Sequence, residues 1–273
     1  MLAAKDDASL DLADVAVGAA LIAQDVYGNL DVDALLDRFA ALASPLEGRG
    51  LGALTPRAQA EHLGQHLYEA VGFAGNEEDY YDPKNSLLPD VLDRKLGIPI
   101  SLAVVYCEVA RRLGVQAVGV GFPGHFLVRI EDPGQALPIV VDPFFRGRIL
   151  GEAGLTKLLH RVTGKTEVLR PELLQPATPR AILLRMLVNL RTIYLSRGDM
   201  ARAMLAIDRI LCLTPDAPDA LRERGLLSAR LGANAAALAD LERFLVIAPR
   251  ADDASQIRAR IAELRARGSR SVN

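Results

Sequence analysis

A serine at a helix start, a histidine on one strand and an aspartate ending the next are the residue types of a nucleophile, its base and the acid that orients the base. Ser101, His125 and Asp142 occur in that order within Gly97 to Phe145. Ser101 falls in the first turn of a helix opened by Pro99, where unpaired N–H groups and the positive dipole end favour developing negative charge. Asp132-Pro133-Gly134-Gln135 is a turn signal. A hairpin centred between Pro133 and Gly134 makes His125 and Asp142 direct cross-strand neighbours, with Cβ atoms roughly 5 Å apart. At that distance the carboxylate can hold the imidazole in one tautomer. Pro133 does not suit the favoured two-residue hairpin turns, and a bulge would break this symmetry. The structural alternative has Ser101 hydrogen-bonding inside its own helical turn, with His125 and Asp142 pinning the hairpin to the helix. Asn85, Arg94 and Arg129 are candidate polar residues of the same cleft, or ordinary surface residues. Gly121, Pro123 and Gly124 serve the bend before His125.

The elements that position these residues follow from apolar periodicity. Helices are expected over about 10–27, 32–42 and 56–71, the third capped by Thr55 with Pro56 at its first position. A short helix through Leu96 holds Pro89 in its first turn. The helix from Pro99 to about Leu113 is apolar on nearly every face, so it is the central helix of its domain. Strands are expected over 117–121, 125–131 and 138–142, then a helix over 150–164 with His160 on its outer side. The acidic stretch Gly75 to Lys84, with adjacent Tyr80 and Tyr81, reads as a loop bordering a cleft or as a solvated connection.

Two features resemble chemistry without its full pattern. His62 and His66 share a helix face at the spacing of a metal pair, but Leu63 stands where zincin chemistry needs glutamate, so no metal or other cofactor is expected. Cys107 lies six residues beyond Ser101, which is about 9 Å along the helix and about 600° around it, so it cannot take Ser101's place and reads as core.

Composition limits the partners. The chain has 273 residues, half of them hydrophobic, and a formal net charge of −2, so no overall field gathers nucleic acid or anionic lipid. Its two cysteines are far apart in helical patterns, which fits reduced thiols and a cytoplasmic setting. The apolar run Val15 to Ala23 is too short to span a bilayer and follows an acidic segment, so neither a membrane span nor a secretory signal is expected.

Beyond a proline-bearing linker at Arg170 to Arg180 the chain repeats. Gly198 and Gly232, Ala203 and Ala237, Ile207 and Leu241, Ile210 and Phe244, and Pro215 and Pro249 are each 34 residues apart. That is the tetratricopeptide (TPR) period, with a further helix over about 252–267 capping the stack. Such arrays bind proteins or peptides on a concave face, or buttress a neighbouring domain. Arg258, Arg260, Arg265, Arg267 and Arg270 lack interleaved aromatics, which favours a solvated helix face over nucleic-acid contact.

The segments NSLLPDVLDRKLGIPISLAVVYCEVARRLG, GVGFPGHFLVRI and VDPFFRGRIL resemble the bacterial SirB family, transglutaminase-like proteins followed by TPR helices. The resemblance implies an α+β fold, a helix-rich papain-like core with a small antiparallel sheet over 10–169, and an all-α repeat region over 178–267. It also implies a cysteine nucleophile, which this sequence lacks, and the superfamily pattern aligns Pro99 rather than Ser101 with it. Two functions follow. One is a regulatory pseudoenzyme binding a protein or peptide through its TPR region. The other is a hydrolase or acyltransferase using Ser101, His125 and Asp142.

Overall fold

The computed structural model describes residues 11–134 and 137–270. The polar start up to Leu10 and the turn residue Gln135 lie outside that description, as do the side chains of Arg267 and Arg270. The chain divides into two compact units between Met186 and Leu187.

In the first unit, α1 (Leu12–Tyr27) opens on Asp11, whose carboxylate accepts the N–H groups of Ala13 and Asp14. α2 (Val32–Ala43) and α3 (Pro56–Gly64) follow, with Thr55 capping α3 as expected. The expected single helix to Val71 instead widens at Gln65–Ala70 into a π-helical turn. That turn buries Leu67 and Tyr68 and brings His66 Nε2 to the Leu42 carbonyl at 2.7 Å. His66 is thereby spent on a helix end.

Two short parallel strands, β1 (Ala74–Gly75) and β2 (Leu96–Gly97), bracket the acidic loop and α4 (Leu88–Arg94). α5 (Pro99–Arg112) is the central helix, with every residue from Pro99 to Ala110 buried. Apolar side chains on all faces leave it no solvated stripe, and each fully buried Val, Leu or Ile contributes about 2 kcal/mol of transfer free energy. A charge introduced at Val105 or Val109 would therefore have no face to turn to water.

The second sheet is antiparallel, in the order β3 (Ala117–Val120), β4 (Leu127–Ile130), β5 (Ile139–Asp142), β6 (Arg148–Leu150). β6 was not foreseen, because Arg148 to Leu150 is too short to show alternation. α5 contacts β3 and β4, while α6 (Glu152–Thr163) buries Leu155, Leu158 and Leu159 with Leu127, Val140 and Leu150 of the sheet. Val120 forms an isolated bridge to Pro176, so the expected linker at 170–180 is partly tied to the sheet edge. α7 (Pro179–Ser196) crosses the division between the units.

The β4–β5 register differs from the symmetric hairpin. Val128 pairs with Val141 and Ile130 with Ile139, a slip of two residues, because the connection is a longer loop rather than a two-residue turn at Pro133-Gly134. An even slip keeps every side chain on its face of the sheet. His125 is therefore not Asp142's direct partner, and it lies in the turn before β4 rather than on the strand expected over 125–131.

The second unit contains α8 (Met200–Leu213), α9 (Pro218–Arg230), α10 (Asn234–Ile247) and α11 (Ala254–Arg270). Ala203 and Ala237, and Ile207 and Leu241, are buried at equivalent positions of α8 and α10. Gly225 lets α9 approach α10, since a Cβ there would stand 2.7 Å from Leu241. Arg224 ties three helices together, donating to Asp208 of α8 and to both carboxylate oxygens of Asp240 of α10 at 2.7–2.8 Å. Among the described residues, no helix is long and apolar enough to cross a membrane.

Candidate functional site

His125 closes a turn in which its N–H donates to the Phe122 carbonyl. Gly124 makes that turn possible, with φ at +61° and Val162 of α6 packed where a Cβ would sit. The turn delivers His125 Nε2 to Asp142 Oδ1 at 2.9 Å. Asp142 is fully buried at the end of β5, and the same oxygen accepts the N–H groups of Phe144 and Phe145 at 3.2 and 3.3 Å. A carboxylate that accepts backbone donors is an acceptor toward the imidazole too. Nε2 therefore donates to it.

The other oxygen, Oδ2, has no hydrogen-bond donor among the described residues. It faces the Arg148 guanidinium at 3.6 Å, an ion-pair distance too long for a hydrogen bond. Aromatic rings wall the pair. Phe145 stacks beside the imidazole with centroids 6.3 Å apart, Phe144 meets it edge-on at 6.2 Å, and Tyr80 meets Phe144 at 5.8 Å. Gly75 admits Phe144, because a Cβ there would lie 2.5 Å from the ring. Arg185 of α7 holds the turn from behind, donating to the His125 carbonyl at 2.6 Å and lying over the Phe126 ring. Burial pushes the Arg185 guanidinium down from its ordinary value, with Tyr80 opposing. Burial also pushes the phenol of Tyr80 up, with Arg185 opposing.

Ser101 belongs to a different network. Its side chain is fully buried, and its Oγ accepts the Ile98 N–H at 3.1 Å. Its single proton faces the Asn85 carbonyl at 2.5 Å, with the Ile98 carbonyl at 3.1 Å. Asn85, also fully buried, accepts from Asn76 and donates to the carbonyls of Asp79 and Tyr80, so it folds the acidic loop around itself. Arg94 pairs with Asp82 of that loop at 3.0 Å. Arg129 donates to the Leu174 carbonyl at 2.5 Å and pairs with Glu131, not with the His125–Asp142 pair. The structure thus joins His125 to Asp142, and Ser101 to Asn85.

Cys107 is buried, and burial together with Glu108 pushes its thiol up to about 12. Cys212 is exposed on α8. The sequence reading passed over Phe144, Phe145 and Arg148, although they follow Asp142 directly in VDPFFRGR. Arg185, sixty residues after His125, carries no local signal.

A helix-rich α+β unit of this kind, followed by paired helices at the 34-residue period, is a transglutaminase-like domain with TPR helices. Residues 30–188 match the transglutaminase-like superfamily, and residues 190–262 match a tetratricopeptide repeat. The chain belongs to the transglutaminase-like superfamily, and its bacterial relatives are named UPF0162 proteins. One from Xylella fastidiosa (strain Temecula1) is 40% identical over 271 residues, covering 96% of this chain and 93% of the relative. One from Pseudomonas aeruginosa is 34% identical over 229 residues, covering 82% and 83%. F-box only protein 21 of Mus musculus is 40% identical over 90 residues, 31% of this chain and 14% of that protein.

Proposed function

We propose that this chain is a non-catalytic, regulatory member of the superfamily that engages a protein or peptide partner, the TPR helices supplying one contact surface. The observation that carries the reading is the commitment of the Ser101 hydroxyl. Its one proton points to the Asn85 carbonyl and not to His125, and full burial shields it from a substrate. Cys107 cannot stand in, because a thiol pushed up to about 12 is essentially all protonated near neutral pH. The SirB resemblance in GIPISL, PGHF and DPF accords with this reading. Free cysteines support a reducing, cytoplasmic compartment.

A second reading keeps catalysis, because the His125–Asp142 bond at 2.9 Å has the geometry of a base held by its orienting acid. In that reading Ser101 rearranges to face His125 and the chain is a hydrolase or acyltransferase. Labelling with a fluorophosphonate serine probe and with iodoacetamide, in wild type, Ser101→Ala and His125→Ala, separates the two. The non-catalytic reading expects no probe at residue 101 or 107. Stoichiometric labelling of Ser101 that disappears in His125→Ala would establish the enzyme instead.

A further inference from the structure

We propose that the groove between β6 and α6 is the docking site for an extended, acidic peptide segment of a protein partner. The inference deepens the reading of this unit as a recognition module and rests on it. The groove encloses about 300 Å³ and is lined by Arg148 of β6 and by Lys157 and Arg161, one turn apart on α6. Ile149 and Leu158 give it apolar walls, and Gly154 lets α6 close on β6, since a Cβ there would stand 3.2 Å from the Leu150 side chain. No carboxylate lines it. Among the described residues, Lys157 and Arg161 have no acidic partner, and Arg148 reaches only Asp142, at 3.6 Å.

Three cations over an apolar floor, two of them without an acidic partner and the third only loosely paired with Asp142, are complementary to a chain bearing both carboxylates and aliphatic side chains. A free anion would leave the apolar walls unused. The backbone supports the same occupant. β6 is the terminal strand of its sheet, and a terminal strand offers unpaired N–H and C=O groups to an added strand, while alternate side chains drop into the flanking grooves. The groove also adjoins the His125 site. Arg148 belongs to both, and Val162, next to Arg161, packs on the Gly124 turn that presents the imidazole. A bound carboxylate would compete with Asp142 for Arg148 and so report on that site.

The test uses the full chain and a fluorescein-labelled ten-residue peptide of alternating Glu and Leu, read by fluorescence anisotropy, beside its Lys–Leu counterpart. Binding of the Glu–Leu peptide alone is expected, weakening with added salt and at least tenfold in a Lys157→Glu/Arg161→Glu double variant. Lys157→Gln/Arg161→Gln gives the same ordering with a smaller loss if charge reversal impairs folding. Arg49→Glu, at an exposed position away from β6 and α6, should leave binding unchanged. The inference is overturned by no binding, by equal binding of both peptides, by indifference to the Lys157 and Arg161 substitutions, or by displacement of the peptide with inorganic phosphate at comparable concentration. Probe labelling of Ser101 would instead defeat the non-catalytic reading and leave the groove result standing, so the two failures are distinguishable.

Discussion

Around Ser101, the side-chain polar atoms of Ser101, Asn85 and Asn76 have partners inside the protein, whereas around His125 the Asp142 carboxylate keeps one oxygen without a hydrogen-bond donor. The first cluster is closed: hydroxyl, amides and loop carbonyls satisfy one another and hold the acidic loop against the start of α5. The second is open, walled by aromatic rings and approached by an arginine that is more than half exposed. Both contain residue types suited to catalysis. What separates them is how much hydrogen-bonding capacity the fold has already used.

The largest effect should come from the closed cluster. Asn85→Ala strips one buried and two part-buried hydrogen bonds and leaves loop carbonyls unpaired, so a loss of about 3 kcal/mol is expected in urea unfolding. A loss below about 1 kcal/mol would show that the network is not structural. In the repeat unit, Arg224→Ala removes the guanidinium shared by Asp208 and Asp240 and should cost about 2 kcal/mol, most of it from the poorly exposed Asp240. An unchanged unfolding midpoint would mean that the three-helix tie contributes nothing.

Ser101→Ala should cost about 1.5 kcal/mol while leaving peptide binding untouched, since its bonds serve the helix start and the Asn85 carbonyl and none reaches the groove. His125→Ala should cost about 1 kcal/mol, because Asp142 keeps two backbone donors and Arg148. If Ser101→Ala weakened peptide binding more than His125→Ala, the assignment of closed and open clusters would be reversed.

The two native thiols give the smallest and simplest readout. Burial raises the Cys107 pKa to about 12. Its thiolate therefore appears only as pH climbs toward that value, and at pH 8 only about one thiol in 10,000 is ionised. One equivalent of Ellman's reagent should react with the native chain at pH 8, at Cys212. Two rapid equivalents would show that Cys107 is accessible.

Much of the architecture is legible in the residues. Gly97 and Pro99 mark the start of α5, its apolar faces mark it as central, and the 34-residue period marks the paired helices. The His125–Asp142 contact was also accessible, even though the register was not. The contact is made from the turn before β4, where Gly124 presents His125, and not from strand pairing, so it holds whatever the register. Other features were hidden for physical reasons. Ser101's partner is a backbone carbonyl sixteen residues earlier, and a carbonyl is common to every residue type. Arg185 reaches His125 only through tertiary packing, and Arg129, a candidate for the cleft or for an ordinary surface role, bonds to the Leu174 carbonyl and Glu131. β6 was too short for periodicity to show, and the π turn after Gly64 has no distinct composition.

The most direct test of the closed cluster places a reactive atom in it. In a Ser101→Cys, Cys212→Ser chain, the account predicts that iodoacetamide alkylates residue 101 at pH 7.5 about 100-fold more slowly than in the urea-unfolded chain, whether or not His125 is present. Alkylation at or above the unfolded rate, abolished by adding His125→Ala, would mean that residue 101 faces the imidazole as a nucleophile and would contradict the account.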